Sequence, residues 1–209
     1  MTAAPHGMDK LGETANGGIV VRLQPAMCPT EEQFFQFCRL NDELRIERDP
    51  GGEVSIMPPA GWRTGAMNAE ITCQLQRWAR TNGTGQAADS SAGYLLQNGA
   101  VRSPDASWVS NKRLAGVTTE QQARFLPACP DFVVELRSPT DSVAALKKKM
   151  AEYMACGTTL AWLIDPANRK VRVYRRGSDI EELDSPTSIS GDPPLEGFRL
   201  GLAEIWEKR

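Results

Sequence analysis

The chain has 209 residues, 41% of them hydrophobic and 24% charged, with a formal net charge of -2; that length allows one sizeable core, and the slightly acidic balance excludes a surface coated for nucleic acid, so any such binding needs a local basic patch. The only histidine, His6, falls in a segment that reads as a loose tail, which excludes the Ser-His-Asp and Cys-His hydrolases, the histidine-ligated metal nucleases and the zinc hydrolases, all of which need a histidine in the folded body.

Residues 1–18, rich in Gly, Ala and Thr without an apolar period, read as a disordered tail ahead of a single domain over 19–209. The tail lacks the apolar core of a signal peptide, and no apolar run is long enough to cross a bilayer, so a cytoplasmic location without a membrane partner is expected. In "TEEQFFQFCRLN", Thr30 with Gln33 forms a capping-box pattern ahead of Phe34, Phe35 and Cys38, which predicts a helix over about 31–40. "LRIERDPGGEVSIMPPAG" alternates on both sides of "DPGG", with Leu44 and Ile46 on one arm and Val54 and Ile56 on the other, and predicts a β-hairpin. Met67, Ile71, Leu75 and Trp78 then mark an amphipathic helix ending near "NGTG", with Glu70 beside its apolar face.

Short strands are predicted in "GYLLQNGAVRS", around an NG turn, and in "PDASWVS". "CPDFVVEL" carries a further strand, broken by Pro139. Asp141 or Ser142 can cap the following helix, whose stripe is Val143, Leu146, Met150 and Met154 and whose end is Gly157. "LAWLID" and "KVRVYRRG" predict two strands joined by "PANRK", and the turn-rich remainder finishes in a short helix with Ile205 and Trp206. The order of elements fits an α/β sheet with helices packed on it. Five cysteines, Cys28, Cys38, Cys73, Cys129 and Cys156, are scattered without a CxxC pair, which predicts reduced thiols rather than disulfides or a zinc site.

Three acids stand out by placement: Glu70 near the inner edge of a helix, Asp105 at the start of a strand and Glu135 inside an apolar one. A buried ionised carboxylate needs a cation, and two on neighbouring strands make a hard oxygen site suited to Mg²⁺. The plainer alternatives are that Glu135 pairs with Arg137 or Arg102, that Asp105 is a turn residue after proline, and that Glu70 is a solvated helix residue. Among Lys147, Lys148 and Lys149, the stripe turns Lys148 away and leaves Lys147 and Lys149 flanking it on opposite sides, so periodicity permits either as a functional amine. A solvated charged face is the plain reading of all three. No GxGxxG, GxxxxGK[ST] or GxSxG motif occurs.

"SPDASWV", "PDFVVELRSPTDS", "KMAEY", "LAWLIDP" and "VRVYRR", in that order, resemble the Uma-two family of restriction-type endonucleases within the PD-(D/E)xK nuclease superfamily. The resemblance implies a restriction endonuclease-like α/β fold: a mixed β-sheet flanked by helices, with an N-terminal helix and β-hairpin. It implies a metal-dependent endonuclease that hydrolyses phosphodiester bonds of DNA, with Mg²⁺ or Mn²⁺ as cofactor and a homodimer as assembly. Asp105 and Glu135 would be metal carboxylates, the Leu136 carbonyl a further ligand, and Glu70 the supporting helix acid. The superfamily lysine normally follows the second acid by two residues, where this chain has Arg137. The family pattern "KMAEY" moves the amine to Lys149 and leaves Arg137 to hold phosphate, since a guanidinium stays protonated. The alternative is a catalytically inactive binding or assembly module on the same fold.

Overall fold

The structure, a computed structural model, describes residues 18–207. The expected tail therefore lies, except for Gly18, outside the described residues. The chain opens with β1 (Ile19–Arg22) and α1 (Glu31–Leu40). The predicted capping box starts α1, Gln33 N donating to Thr30 Oγ1 at 3.2 Å and Thr30 N donating to Gln33 Oε1 at 2.9 Å. The predicted hairpin is β2 (Arg45–Arg48) and β3 (Glu53–Met57), closed where Glu53 N donates to Asp49 Oδ1 at 2.8 Å and Gly52 takes φ +83°. Helix α2 (Trp62–Asn82) buries Met67, Ile71 and Leu75 as expected and ends on left-handed Gly83, whose N–H bonds the Ala79 carbonyl.

Next comes β4 (Gly85–Asp89), for which the sequence gives no strand signal. "GQAAD" is a poor strand former, yet it pairs antiparallel along its whole length with β7, and a Cβ on Gly85 would lie 2.6 Å from the Trp108 ring. The NG turn joins β5 (Tyr94–Leu95) to β6 (Val101–Arg102), and Ser103–Pro104 leads into β7 (Ala106–Ser110). Two short helices, α3 (Asn111–Leu114) and α4 (Thr119–Gln122), precede β8 (Phe132–Leu136) and α5 (Val143–Ala155). Ser142 caps α5, its Oγ accepting from Ala145 N at 3.4 Å, while Asp141 accepts from Ser138 N at 2.7 Å. Strands β9 (Leu160–Asp165) and β10 (Lys170–Arg175) follow as predicted. The turn-rich remainder holds β11 (Glu181–Asp184), β12 (Ser188–Ser190), β13 (Arg199–Gly201) and α6 (Ala203–Trp206).

These strands form a six-stranded mixed sheet in the order β11-β10-β9-β8-β7-β4, parallel only between β8 and β9, with α5 as the crossover. A five-stranded sheet in the order β1-β3-β2-β6-β5 takes in the hairpin, and β12 pairs with β13. Along β8 and β9 the side chains alternate between two cores. Phe132, Val134, Leu136, Trp162 and Ile164 pack with α2 on one face, while Val133, Ala161 and Leu163 pack with Leu146, Met150 and Tyr153 of α5 on the other. The chain crosses between the two large sheets at Ser103–Pro104, so the start of β7 sits at their junction. Among the described residues no helix is long and apolar enough to cross a membrane.

Candidate active site

Alternation along β8 fixes which way Glu135 points. With Val134 and Leu136 committed to the α2 core, Val133 and Glu135 face α5, and Glu135 is 3% exposed. Strand β7 pairs Ala106 with Val134, so the next step of that register sets Asp105 opposite Glu135. Asp105 Oδ2 accepts from Leu136 N at 2.8 Å, and Oδ1 accepts from Asn68 Nδ2 at 3.2 Å and from the Arg45 guanidinium at 3.4 Å. Arg45 in turn donates to the Ser103 carbonyl at 2.7 Å.

Lys149 reaches the same place from α5. Its ammonium lies 2.8 Å from Glu135 Oε1 and 2.9 Å from Glu47 Oε1, while Lys147 and Lys148 are exposed. A stripe through Met154 leaves Lys147 and Lys149 equivalent. The buried residues are Leu146, Met150 and Tyr153, and on a helix those positions make Lys149 the missing member of an i, i+3, i+4, i+7 face. Tyr153, which reads from sequence as core packing, is fully buried and also donates its hydroxyl to Glu135 Oε1 at 3.0 Å.

Glu47 is the member that sequence reasoning missed. It is buried on β2, accepts from Ser103 N at 2.9 Å and pairs with Arg102 at 3.3 Å. Arg102 Nε also pairs with Glu152 Oε2 at 2.6 Å. Arg45 and Glu47 are the charged positions of the alternating hairpin arm, and alternation reads such a face as solvated. Here that face meets α5 and the start of β7 instead.

The electrostatics follow from burial. Desolvation pushes the Glu135 carboxyl up to about 7; Lys149 opposes this, and the nearby Asp105 and Glu47 charges reinforce it. Burial alone would drive the Lys149 ammonium down, but Glu135 and Glu47 outweigh it and raise its pKa, so Lys149 stays charged. Glu47 is desolvated as well, yet Lys149 and Arg102 hold it below the ordinary carboxylate range. Burial and the same two carboxylates push the Tyr153 phenol well up, which keeps it a donor.

Two other expected residues lie elsewhere. Arg137 does not join Glu135: its guanidinium pairs with Asp165 Oδ2 at 2.9 Å and bonds the Asp141 carbonyl, tying together the ends of β8 and β9. Glu70 accepts from Gln74 Nε2 at 2.8 Å, and Gln74 also binds the backbone of Gly201. On α2 the residue that reaches Asp105 is Asn68, two positions earlier and so on a different side of the helix.

Among the described residues no group of three or more His, Cys, Asp or Glu side chains is arranged to hold a metal ion. A Mg²⁺ site needs only one or two protein carboxylates, and the donor set here fits it. Asp105 and Glu135 face each other closely enough that the Asp105 charge helps raise Glu135. With the acids ionised, Asp105, Glu135, Glu47 and Glu152 exceed Arg45, Arg102 and Lys149 by one charge. The Asn68 Oδ1 atom beside Asp105 is also buried without a hydrogen-bond partner. A cleft of about 960 Å³ between α2 and the β2–β3 hairpin reaches Asp105, Arg45 and Asn68.

The Uma2 family model, described as "Putative restriction endonuclease", matches residues 31–203. The chain is also similar to a solved crystal structure of "a putative nuclease belonging to DUF820" from Anabaena variabilis ATCC 29413, at 21% identity and a TM-score of 0.69, over 86% of this chain and 98% of that one. That likeness extends the restriction endonuclease-like reading to the fold. No curated protein matches.

Proposed function

The chain belongs to the Uma2 family, and from that premise we propose that it is a metal-dependent endonuclease that hydrolyses phosphodiester bonds of DNA. The observation that carries the reading is the Lys149 ammonium held between Glu135 and Glu47 on the face where Asp105 stands opposite Glu135. Asp105, Glu135 and the Leu136 carbonyl would hold Mg²⁺ or Mn²⁺, which when bound supplies a water of lowered pKa and neutralises phosphate charge. Lys149 is held charged by its two acids, so its part is to orient the attacking water and to stabilise charge on the phosphate rather than to abstract a proton. Glu47 and Tyr153 fix that geometry by holding the Lys149 ammonium and the Glu135 carboxylate from behind.

Arg45, which already contacts Asp105 and lines the cleft, is suited to bind a phosphate oxygen through its fork of donors. Arg137 is tied to Asp165 and supports the site by fixing the end of β8. Glu70, engaged with Gln74, acts through α2 at most as a positioning residue. A homodimer would supply two such sites, one for each strand of the DNA. Purified protein with Mg²⁺ or Mn²⁺ should nick plasmid DNA, and Asp105→Ala and Lys149→Met should each lower the rate by roughly a hundredfold or more. Equal cutting by Asp105→Ala would end this assignment.

One observation favours a second reading, a catalytically inactive binding module: every cation of the cluster already has a carboxylate partner. Calorimetry separates the two, because a working site binds Mn²⁺ and loses that binding in Glu135→Gln.

A further inference from the structure

Taking the nuclease reading of Asp105 as its basis, we infer that the cleft beside Asp105 receives one unpaired nucleotide, so that the substrate is a strand with unstacked bases rather than an intact duplex. The walls carry the argument. One is apolar, made by Leu44 and by Ile56, Met57, Pro58 and Pro59 where the hairpin leads toward α2. The other is the first three turns of α2, which present Gly65 and Ala69 beside Asn68 and Thr72. These are two rows at a spacing of four, one of small residues and one of hydrogen-bonding ones.

Gly65 has no structural need to be glycine. A Cβ there would meet nothing within 4 Å, and its backbone is helical. Glycine inside a helix is less stable than alanine, so its use here sets a stability loss against a bare, flat cleft wall. The neighbouring Asn68 turns its amide nitrogen to Asp105 and leaves its oxygen unpartnered, and Arg45 likewise has an unpartnered Nε. Both atoms lie buried just beneath the cleft, a donor and an acceptor without a mate among the described residues.

Charge decides which part of a nucleic acid fits. Among the described residues, the charged ones lining the cleft are Glu43, Asp89, Asp105 and a single cation, Arg45. A groove that tracks a duplex backbone needs several cations to replace the counterions it displaces. One cation beside Asp105 suits one phosphate, and the apolar slot beyond it suits one base with its face against Gly65 and Ala69. Trp62, 92% exposed among the described residues, lies three positions before Gly65 on the same side of α2. An exposed indole one helical turn from Gly65 is a stacking platform for the adjoining base, of the kind that binds single strands without sequence preference.

The test measures binding with Ca²⁺ in place of Mg²⁺, by fluorescence anisotropy of one labelled DNA oligonucleotide, either single or annealed to its complement. The single strand should bind at least about tenfold more tightly than the duplex. Trp62→Ala and Gly65→Leu should each weaken single-strand binding about tenfold, stacking being the main interaction lost. Gly65→Ala, which has open space for its methyl, serves as the variant certain to fold: it should melt at or above the wild-type temperature yet bind the single strand more weakly. Equal affinity for both forms, no binding of either, or indifference to all three substitutions would overturn the inference. Cleavage of single-stranded circles and of relaxed linear duplex in Mn²⁺ keeps the two readings apart. Asp105-dependent cutting of both forms alike leaves the nuclease reading standing and removes this one. Single-strand binding that depends on Gly65 without any cutting does the reverse.

Discussion

Replacing Lys149 with methionine tests the buried charge cluster most directly, because methionine keeps most of the apolar stem and deletes only the ammonium. Glu135 then loses its cation, while Glu47 keeps Arg102 and the Ser103 amide. Removing one partner of a buried pair costs about 3–5 kcal/mol, and the surviving partners of Glu47 place this case near 3 kcal/mol at about pH 8. The loss should shrink in acid. Burial has already pushed Glu135 up to about 7 with Lys149 present; without Lys149, which lowers it, that value climbs further. An acid whose folded pKa lies above its unfolded value contributes stability below the unfolded pKa that is lost as pH rises through the folded one. Around pH 5 Glu135 is neutral in both proteins and only the Glu47 interaction is lost, leaving roughly 1–2 kcal/mol. Urea unfolding in a chelating buffer, followed by tryptophan fluorescence at the two pH values, measures the difference. A penalty that is the same at both, or that stays under about 1 kcal/mol at the higher pH, refutes the claim that Lys149 neutralises buried Glu135.

Glu135→Gln should abolish Mn²⁺ binding and flatten the dependence of stability on pH. Between the ordinary glutamate value of 4.5 and about 7 the wild type loses stability as pH rises, and the variant, measured in chelator against its own value near pH 5, should gain up to about 3 kcal/mol over the wild type by about pH 8. Arg137→Ala leaves buried Asp165, whose desolvation is now outweighed by Asn168 and Arg137 so that its pKa is lowered. It should cost about 1–3 kcal/mol at neutral pH, with the loss fading as pH falls through the carboxylate range, and should spare Mn²⁺ binding; a drop in kcat with no change in melting temperature would instead make Arg137 a phosphate ligand. Thr30→Ala removes the bond that Thr30 Oγ1 accepts from Gln33 N, leaves the backbone N–H of residue 30 free to bond Gln33 Oε1, and should lower stability by about 1 kcal/mol in thermal unfolding. If residues 19–209 form one domain, calorimetric and van't Hoff enthalpies of unfolding should agree.

What the sequence made legible was whatever depends on local period and punctuation. Helix α1 runs from Glu31 to Leu40 as its capping box predicts, and β8 and α5 lie where the apolar run, Pro139 and Ser142 put them. Strand β4 escaped because its stability lies in pairing with β7 and in Trp108 packed on Gly85, neither of which leaves a mark on "GQAAD". The site divided along the same line. Asp105 and Glu135 were visible because an acid next to or inside an apolar strand conflicts with its surroundings. Glu47 was invisible because it does not conflict: a charged residue every second position describes a solvated hairpin face as well as one that meets another sheet. Its partner Lys149 lies 102 residues away, beyond the reach of any periodicity. Hydrophobic pattern reports where apolar side chains are kept from water, and a buried polar cluster produces the same pattern as a surface. The choice between them was present only in α5, where reading Tyr153 instead of Met154 as the buried position turns Lys149 inward. A lysine on the apolar face of a helix calls for buried acids to meet it, and the alternating arm bearing Arg45 and Glu47 is the part of the chain that supplies the second one.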